Sequence, residues 1–206
     1  VLTTDQINQV RSIGNLDRCV EPTVWYDVQK QGLTNDTPDS DWYLKDYSGN
    51  GYDMTLYNYA KTPESGINED GGLQSDGVND YGKVTGLPIY KDYTFIIDYE
   101  RISYTSEGWG GAIVSKSPSA NNGAFISMMA NSAGLNKQLF SFGGVTAFIK
   151  DDLSRILFWQ TKYKSENTEL TVGEGVDGDT LWLGTLRDND LRFFNGAIYS
   201  LMSFPY

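Results

Sequence analysis

Asp98 and Glu100 stand two residues apart in a stretch, residues 92–100, that alternates polar and apolar side chains. That offset puts both carboxylates on one face of a strand. Two carboxylates about 5 Å apart are the acid and nucleophile of retaining glycoside hydrolysis. Here Arg101 follows directly, and the pair reads as a solvated strand face. A second kind of chemistry needs no catalysis. Aromatic rings stack on the C–H faces of sugars while amides read the hydroxyls. Trp109 lies in a glycine-rich loop, residues 106–111, that enters a strand, and Tyr104, Asn121 and Asn122 sit on loops of the same region. Trp42, between Asp41 and Tyr43, is another loop aromatic. These five residues are the candidate carbohydrate-binding set. Trp25, Trp159 and Trp182 stand in strand contexts and read as core.

The composition removes other chemistries. The 206-residue chain has no His, so it has no Ser-His-Asp triad, no Cys-His pair and no imidazole ligand for zinc. Its one cysteine, Cys19, builds neither an internal disulfide nor a cysteine-rich metal site. A formal net charge of -11 argues against nucleic acid as a partner, because phosphate backbones need a basic face. No stretch reaches the ~20 apolar residues of a membrane-spanning helix. Aromatics make up 14% of the chain and Tyr supplies 14 of them, which suits sugar recognition and also an ordinary β core.

The elements that must position these residues are mostly strands. Residues 3–14 read as a short helix, capped by Thr4 or Asp5 and ended by Gly14. This helical lead-in, residues 1–22, reads as continuing from an upstream segment or assembly partner. From residue 23 to 206 the period is two. Strands are predicted over residues 92–100, 110–115, 124–129, 137–142, 155–161, 180–184 and 193–202. Turn clusters separate the strands of this region, among them residues 48–51, 76–77, 121–123, 177–179 and 188–190. Residues 60–72 read as a longer surface loop. Many short strands with no helical period between them predict one all-β domain, an antiparallel two-sheet jelly-roll sandwich.

Three stretches carry a family resemblance. Residues 44–53, with Asp46, Ser48, Gly49, Asn50, Gly51 and Asp53, resemble the opening of laminin-G-like, concanavalin A-like lectin/glucanase domains. Residues 73–81, with Asp76, Gly77, Asp80 and Tyr81, are similar to that family's Asp-Gly hairpin. Residues 181–184 and 194–199, with Gly184 and Gly196, are similar to its closing strands. The stretch from Val24 to Asn35 looks like versions found in Bacteroidetes and their phages. Read physically, these motifs build the fold: Asp46 accepts from turn amides, Asp76-Gly77 turns a hairpin, and Gly196 permits close backbone approach.

The resemblance carries expectations about function. Glucanases of this fold bear a Glu-x-Asp-x-x-Glu strand motif, which is missing here; residue 103 is Ser. The expectation is therefore a non-catalytic carbohydrate-binding or adhesion module, extracellular or at the cell surface, with a polysaccharide or glycan as partner. A structural domain of a phage virion or surface assembly is the alternative, and a glycoside hydrolase is the third reading. Related domains often hold calcium; the loops that would supply ligands are Asp36-Asp39-Asp41, Glu174-Asp177-Asp179 and Asp188-Asp190. Asp46 with Asn50 needs no metal, since the turn explains both. Asn35-Asp36-Thr37 fits a glycosylation sequon, which would be incidental in a bacterial protein.

Overall fold

The computed structural model describes residues 21–89, 94–103, 111–116, 124–130, 136–142, 145–150, 156–160, 164–165, 168–169, 178–187 and 192–205. The helix expected over residues 3–14 lies outside them. In chain order the strands are β1 (Val24–Asp27), β2 (Tyr43–Leu44), β3 (Met54–Tyr57), β4 (Gly66–Ile67), β5 (Leu73–Asp76), β6 (Tyr81–Val84), β7 (Thr94–Ser103) and β8 (Ala112–Lys116). Then come β9 (Ala124–Ala130), β10 (Asn136–Phe142), β11 (Val145–Lys150), β12 (Ile156–Gln160), β13 (Lys164–Ser165), β14 (Thr168–Glu169), β15 (Leu181–Leu183) and β16 (Asn195–Phe204). A one-turn helix, α1 (Val28–Gln31), follows β1, and a 3-10 turn spans Asp39–Asp41.

The strands form an antiparallel two-sheet β-sandwich. One sheet runs β12-β7-β16-β5-β4, with β1 also paired to β16. The other runs β11-β10-β9-β8-β15-β6-β3-β2. β13 and β14 pair with each other. Between the sheets lies one apolar cluster. Val24, Tyr26, Leu73, Phe95, Ile97, Tyr99, Ile198 and Leu201 enter it from the first sheet. Leu44, Met54, Leu56, Val84, Val114, Leu181 and Leu183 enter it from the second. Alternation places them there, because β3 reads buried-exposed-buried-exposed and β7 buries Phe95, Ile97 and Tyr99. On the opposite face of β7, Glu100 is exposed, as the solvated reading requires, whereas Asp98 is half-buried with its Oδ1 shielded from solvent, so the reading holds for one of the pair.

Two turns tie the sandwich together. The Asp46 carboxylate is buried and accepts four hydrogen bonds: Trp25 N at 3.0 Å, Ser48 N at 2.9 Å, Ser48 Oγ at 2.7 Å and Tyr52 N at 3.0 Å. Asn50 Nδ2 donates to the Pro22 and Thr23 carbonyls. The motif thus joins β1 of one sheet to the chain leaving β2 of the other. In the second turn, the Asp80 carboxylate accepts from Asp76 N at 3.0 Å, and Val78 N donates to Asp76 Oδ1 at 2.7 Å.

Residues 60–72 differ from the surface loop that the sequence suggests. They hold β4, which pairs with β5, and Ser65 and Gly66 are buried. A two-residue strand is too short to show alternation. Its anchor is Asn35, whose side chain donates to Ile67 O at 2.9 Å and accepts from Ile67 N at 2.7 Å. The amide of the glycosylation sequon is therefore spent on holding β4. Trp25 also departs from its core reading. Val24 and Tyr26 take the inward positions of β1, so Trp25 faces outward and is half-buried.

Candidate functional site

The site is built on the outward face of the second sheet. Register places Tyr43 opposite Thr55, Thr55 opposite Lys83, and Lys83 opposite Trp182. Those four positions form one row across β2, β3, β6 and β15. In the adjoining row Tyr57 stands opposite Tyr81, and their rings stack 4.8 Å apart at 13°. Tyr57 is 38% exposed, which leaves a ring available to a ligand. The Lys83 ammonium lies 5.9 Å from the Trp182 ring centroid, and Trp182 itself is buried.

At the β2 end of this face is a hollow of about 350 Å³, lined by Asp39, Ser40, Trp42, Tyr43, Asp53, Met54 and Thr55. Tyr43 and Thr55 belong to both the row and the hollow, so the two are continuous. Trp42 is 8% exposed and joins the core cluster. Its ring meets Tyr59 edge-on at 6.3 Å, and the Lys61 ammonium lies 5.0 Å from its centroid. Its indole N–H donates to no protein group. Lys61 also donates to Thr37 O at 2.7 Å and pairs with the Asp39 carboxylate. The hydrogen bond from Lys61 holds the exposed Asp39 carboxyl below its ordinary range. Asp53 accepts from Asp46 N at 2.8 Å and lies at the surface. Carboxylates, hydroxyls and phenols on an aromatic wall can receive a ligand rich in hydroxyl groups.

Of the residues singled out from sequence, Trp42 lies in this hollow as a buried wall. Trp109, Tyr104, Asn121 and Asn122 lie outside the described residues. Reasoning from sequence missed Tyr43, Tyr57, Tyr81 and Lys83. A signal existed: in β3 and β6 the outward positions hold Tyr57 and Tyr81 where small polar residues would serve solubility alone. Of the loops considered for calcium, Asp36, Asp39 and Asp41 are exposed, and Asp39 is committed to Lys61. Among the described residues no group of three or more His, Cys, Asp or Glu gathers to hold a metal ion. Asp177, Glu174, Asp188 and Asp190 lie outside those residues.

Two buried ionisable groups invite a catalytic reading, because strongly shifted pKa values gather at active sites. Burial pushes the Asp80 carboxyl up to about 6, with the Asp76 charge beside it and hydrogen bonding opposing the shift. Burial pulls the Lys116 ammonium down to about 7, against the attraction of Asp179. Yet Asp80 is 0% exposed and Lys116 is 1% exposed. No substrate reaches either one. Lys116 donates to Pro88 O at 2.9 Å and holds that segment against β8. Both groups therefore act on stability. Between pH 3.8 and about 6 folded Asp80 keeps a proton that the unfolded chain has lost, so stability falls as pH rises there. The full effect is at most ~3 kcal/mol. Above about pH 7 folded Lys116 is neutral while the unfolded chain still binds the proton, so stability rises towards pH 10.5. We expect urea midpoints to pass through a trough near pH 6–7. Asp80→Asn should flatten the acid limb and Lys116→Met the alkaline limb. Unchanged limbs in these variants would show that other groups set the profile.

No protein-family model matches the sequence, and no curated protein matches it. Solved structures match its fold. A Trypanosoma rangeli sialidase in complex with 2,3-difluorosialic acid aligns with 88% of this chain at a TM-score of 0.55 and 10% identity. This chain spans 30% of the length of that sialidase. Domain 4 of a GH43 extracellular arabinanase from Geobacillus stearothermophilus, in complex with arabinotriose, aligns with 90% of this chain and 92% of its own length. That match has a TM-score of 0.51 and 12% identity. At these identities the likeness concerns the β-sandwich fold.

Proposed function

We propose that this chain is a non-catalytic carbohydrate-binding or adhesion module of the laminin-G-like, concanavalin A-like kind, working at the cell surface or outside the cell. The carrying observation is the continuous outward surface of Tyr43, Thr55, Tyr57, Tyr81 and Lys83 that opens into the hollow beside Trp42. Sugar rings lie against the exposed tyrosines, while Asp39, Ser40, Asp53 and Thr55 take the hydroxyls. The arabinanase domain, similar in fold and size, holds arabinotriose, which supports an oligosaccharide ligand. Trp109, Tyr104, Asn121 and Asn122 extend this reading as a second contact region, and the loop acids extend it to calcium.

A glycan array, run with calcium and with a chelator, tests the proposal. We expect retention on a defined set of oligosaccharides. Tyr57→Ala and Tyr81→Ala should each weaken binding about five- to tenfold, the scale of one aromatic stacking contact. Trp109→Ala reports on the second region. A folded sample that no glycan retains would overturn the reading.

A further inference from the structure

A second aromatic pair lies on the other sheet, apart from the tyrosine row. The rings of Trp25 and Tyr47 sit 5.8 Å apart at 56°, and both side chains are half-buried. The backbone fixes the pair, since Tyr47 N donates to Trp25 O at 2.7 Å. Two lysines converge on it. The Lys30 ammonium is 4.0 Å from the Trp25 centroid and 4.5 Å from the Tyr47 centroid. The Lys45 ammonium is 5.7 Å from the Tyr47 centroid. α1 places Lys30 there: Asp27 caps the helix by accepting from Lys30 N, and Gly32 closes it in the left-handed conformation.

The charge balance of this cluster is unusual for a chain with a net charge of -11. Among the described residues neither lysine is in an ion pair. Two carboxylates lie nearby and keep their charge, that of Asp27 reaching Tyr47, but their oxygens face backbone donors and not the lysines. Asp27 takes the helix amide, and Asp46 takes the turn donors. A lysine seated over an aromatic ring has lost part of its rotamer freedom before any ligand arrives.

From this geometry we infer a second glycan subsite, specific for a carboxylated sugar such as a uronate or a sialic acid. The sugar carboxylate bridges Lys30 and Lys45, and the sugar meets the ring edges of Trp25 and Tyr47 that Lys30 leaves uncovered. This rests on the carbohydrate reading above and adds the charge of the ligand to it.

Titration of the whole chain with polygalacturonate and polysialic acid, each beside its carboxyl-reduced form, tests the inference. At least one carboxylated polymer should bind about tenfold more tightly than its reduced form, the combined scale of two exposed charge contacts. The preference should disappear in K30Q/K45Q and at high salt. The double variant should leave neutral-glycan binding at the tyrosine row unchanged. Trp25→Ala should weaken both forms. Equal binding of the two forms, or a preference that K30Q/K45Q retains, overturns the subsite. Neutral glycans bound without any carboxylate preference would remove this inference alone. No retention of any glycan would remove the module reading as well.

Discussion

Asp46→Ala should cost the fold about 4 kcal/mol, read as a drop in the urea midpoint at unchanged slope. The substitution strips acceptors from three backbone amides and one hydroxyl, and Asp46 is only 7% exposed. Each buried donor left without an acceptor costs about 1–3 kcal/mol. Partial entry of water at this edge of the sandwich keeps the sum below the simple total. Asp46→Asn separates geometry from chemistry. Its oxygen can still serve Trp25 N and Ser48 N, while its NH₂ would face Tyr52 N, which can only donate. About half the loss is expected. Ser48→Ala removes the donor to Asp46 and the acceptor of the exposed Asn50 N, and leaves the three amides on Asp46 satisfied, so it should cost about 1 kcal/mol. If Asp46→Ala fell within 1 kcal/mol of the parent, the turn would not be the clasp between the sheets.

Gly196→Ala should be nearly as damaging, at about 3 kcal/mol. Gly196 lies in β16 with β5 on one side and β7 on the other, opposite Ser75 and Arg101. An added Cβ would overlap the Glu100 carbonyl oxygen and lie 2.6 Å from Phe194 Cζ. The carbonyl belongs to the neighbouring strand and cannot swing aside as a side chain would. The Phe194 ring is held edge-on to Tyr99 at 6.3 Å, so it is constrained too. The register with β7 shifts between Asn195 and Gly196, so the glycine sits at an irregularity of the ladder. Gly49→Ala is the control. Gly49 has φ +89° and no atom within 4 Å of the added carbon, so only backbone strain of about 1 kcal/mol applies. Equal losses in the two variants would show that conformation, and not contact, decides at Gly196.

These two residues also show how far the sequence could be read. Asp46 and Gly196 belong to motifs whose chemistry is local: a short acid beside a tight turn, and a glycine inside a strand. Such signals survive in one dimension. The long strands were legible for the same reason: β9, β10 and β16 fall within two residues of their predicted limits, and β7 runs three residues past its own. What was not legible depends on neighbours distant in the chain. β4 exists because Asn35 grips Ile67 from 32 residues away. Trp42 is a loop residue by its flanks and a core residue by its contacts. The tyrosine row emerges only when the register of β2, β3 and β6 is known. The Trp25–Tyr47 cluster needs, in addition, the turn that brings residue 47 back to residue 25.

The pairing of β1 with β16 has a consequence for how such a unit is carried. Val24 stands opposite Ser203, and Thr23 N donates to Ser203 O at 2.6 Å. The N-terminal end of β1 and the C-terminal end of β16 therefore lie side by side. A unit with this geometry can be spliced into one surface loop of a host chain without prying the host apart, and its two strand ends can be joined by a short linker. A circular permutant that joins these two strand ends and opens at an exposed turn should fold.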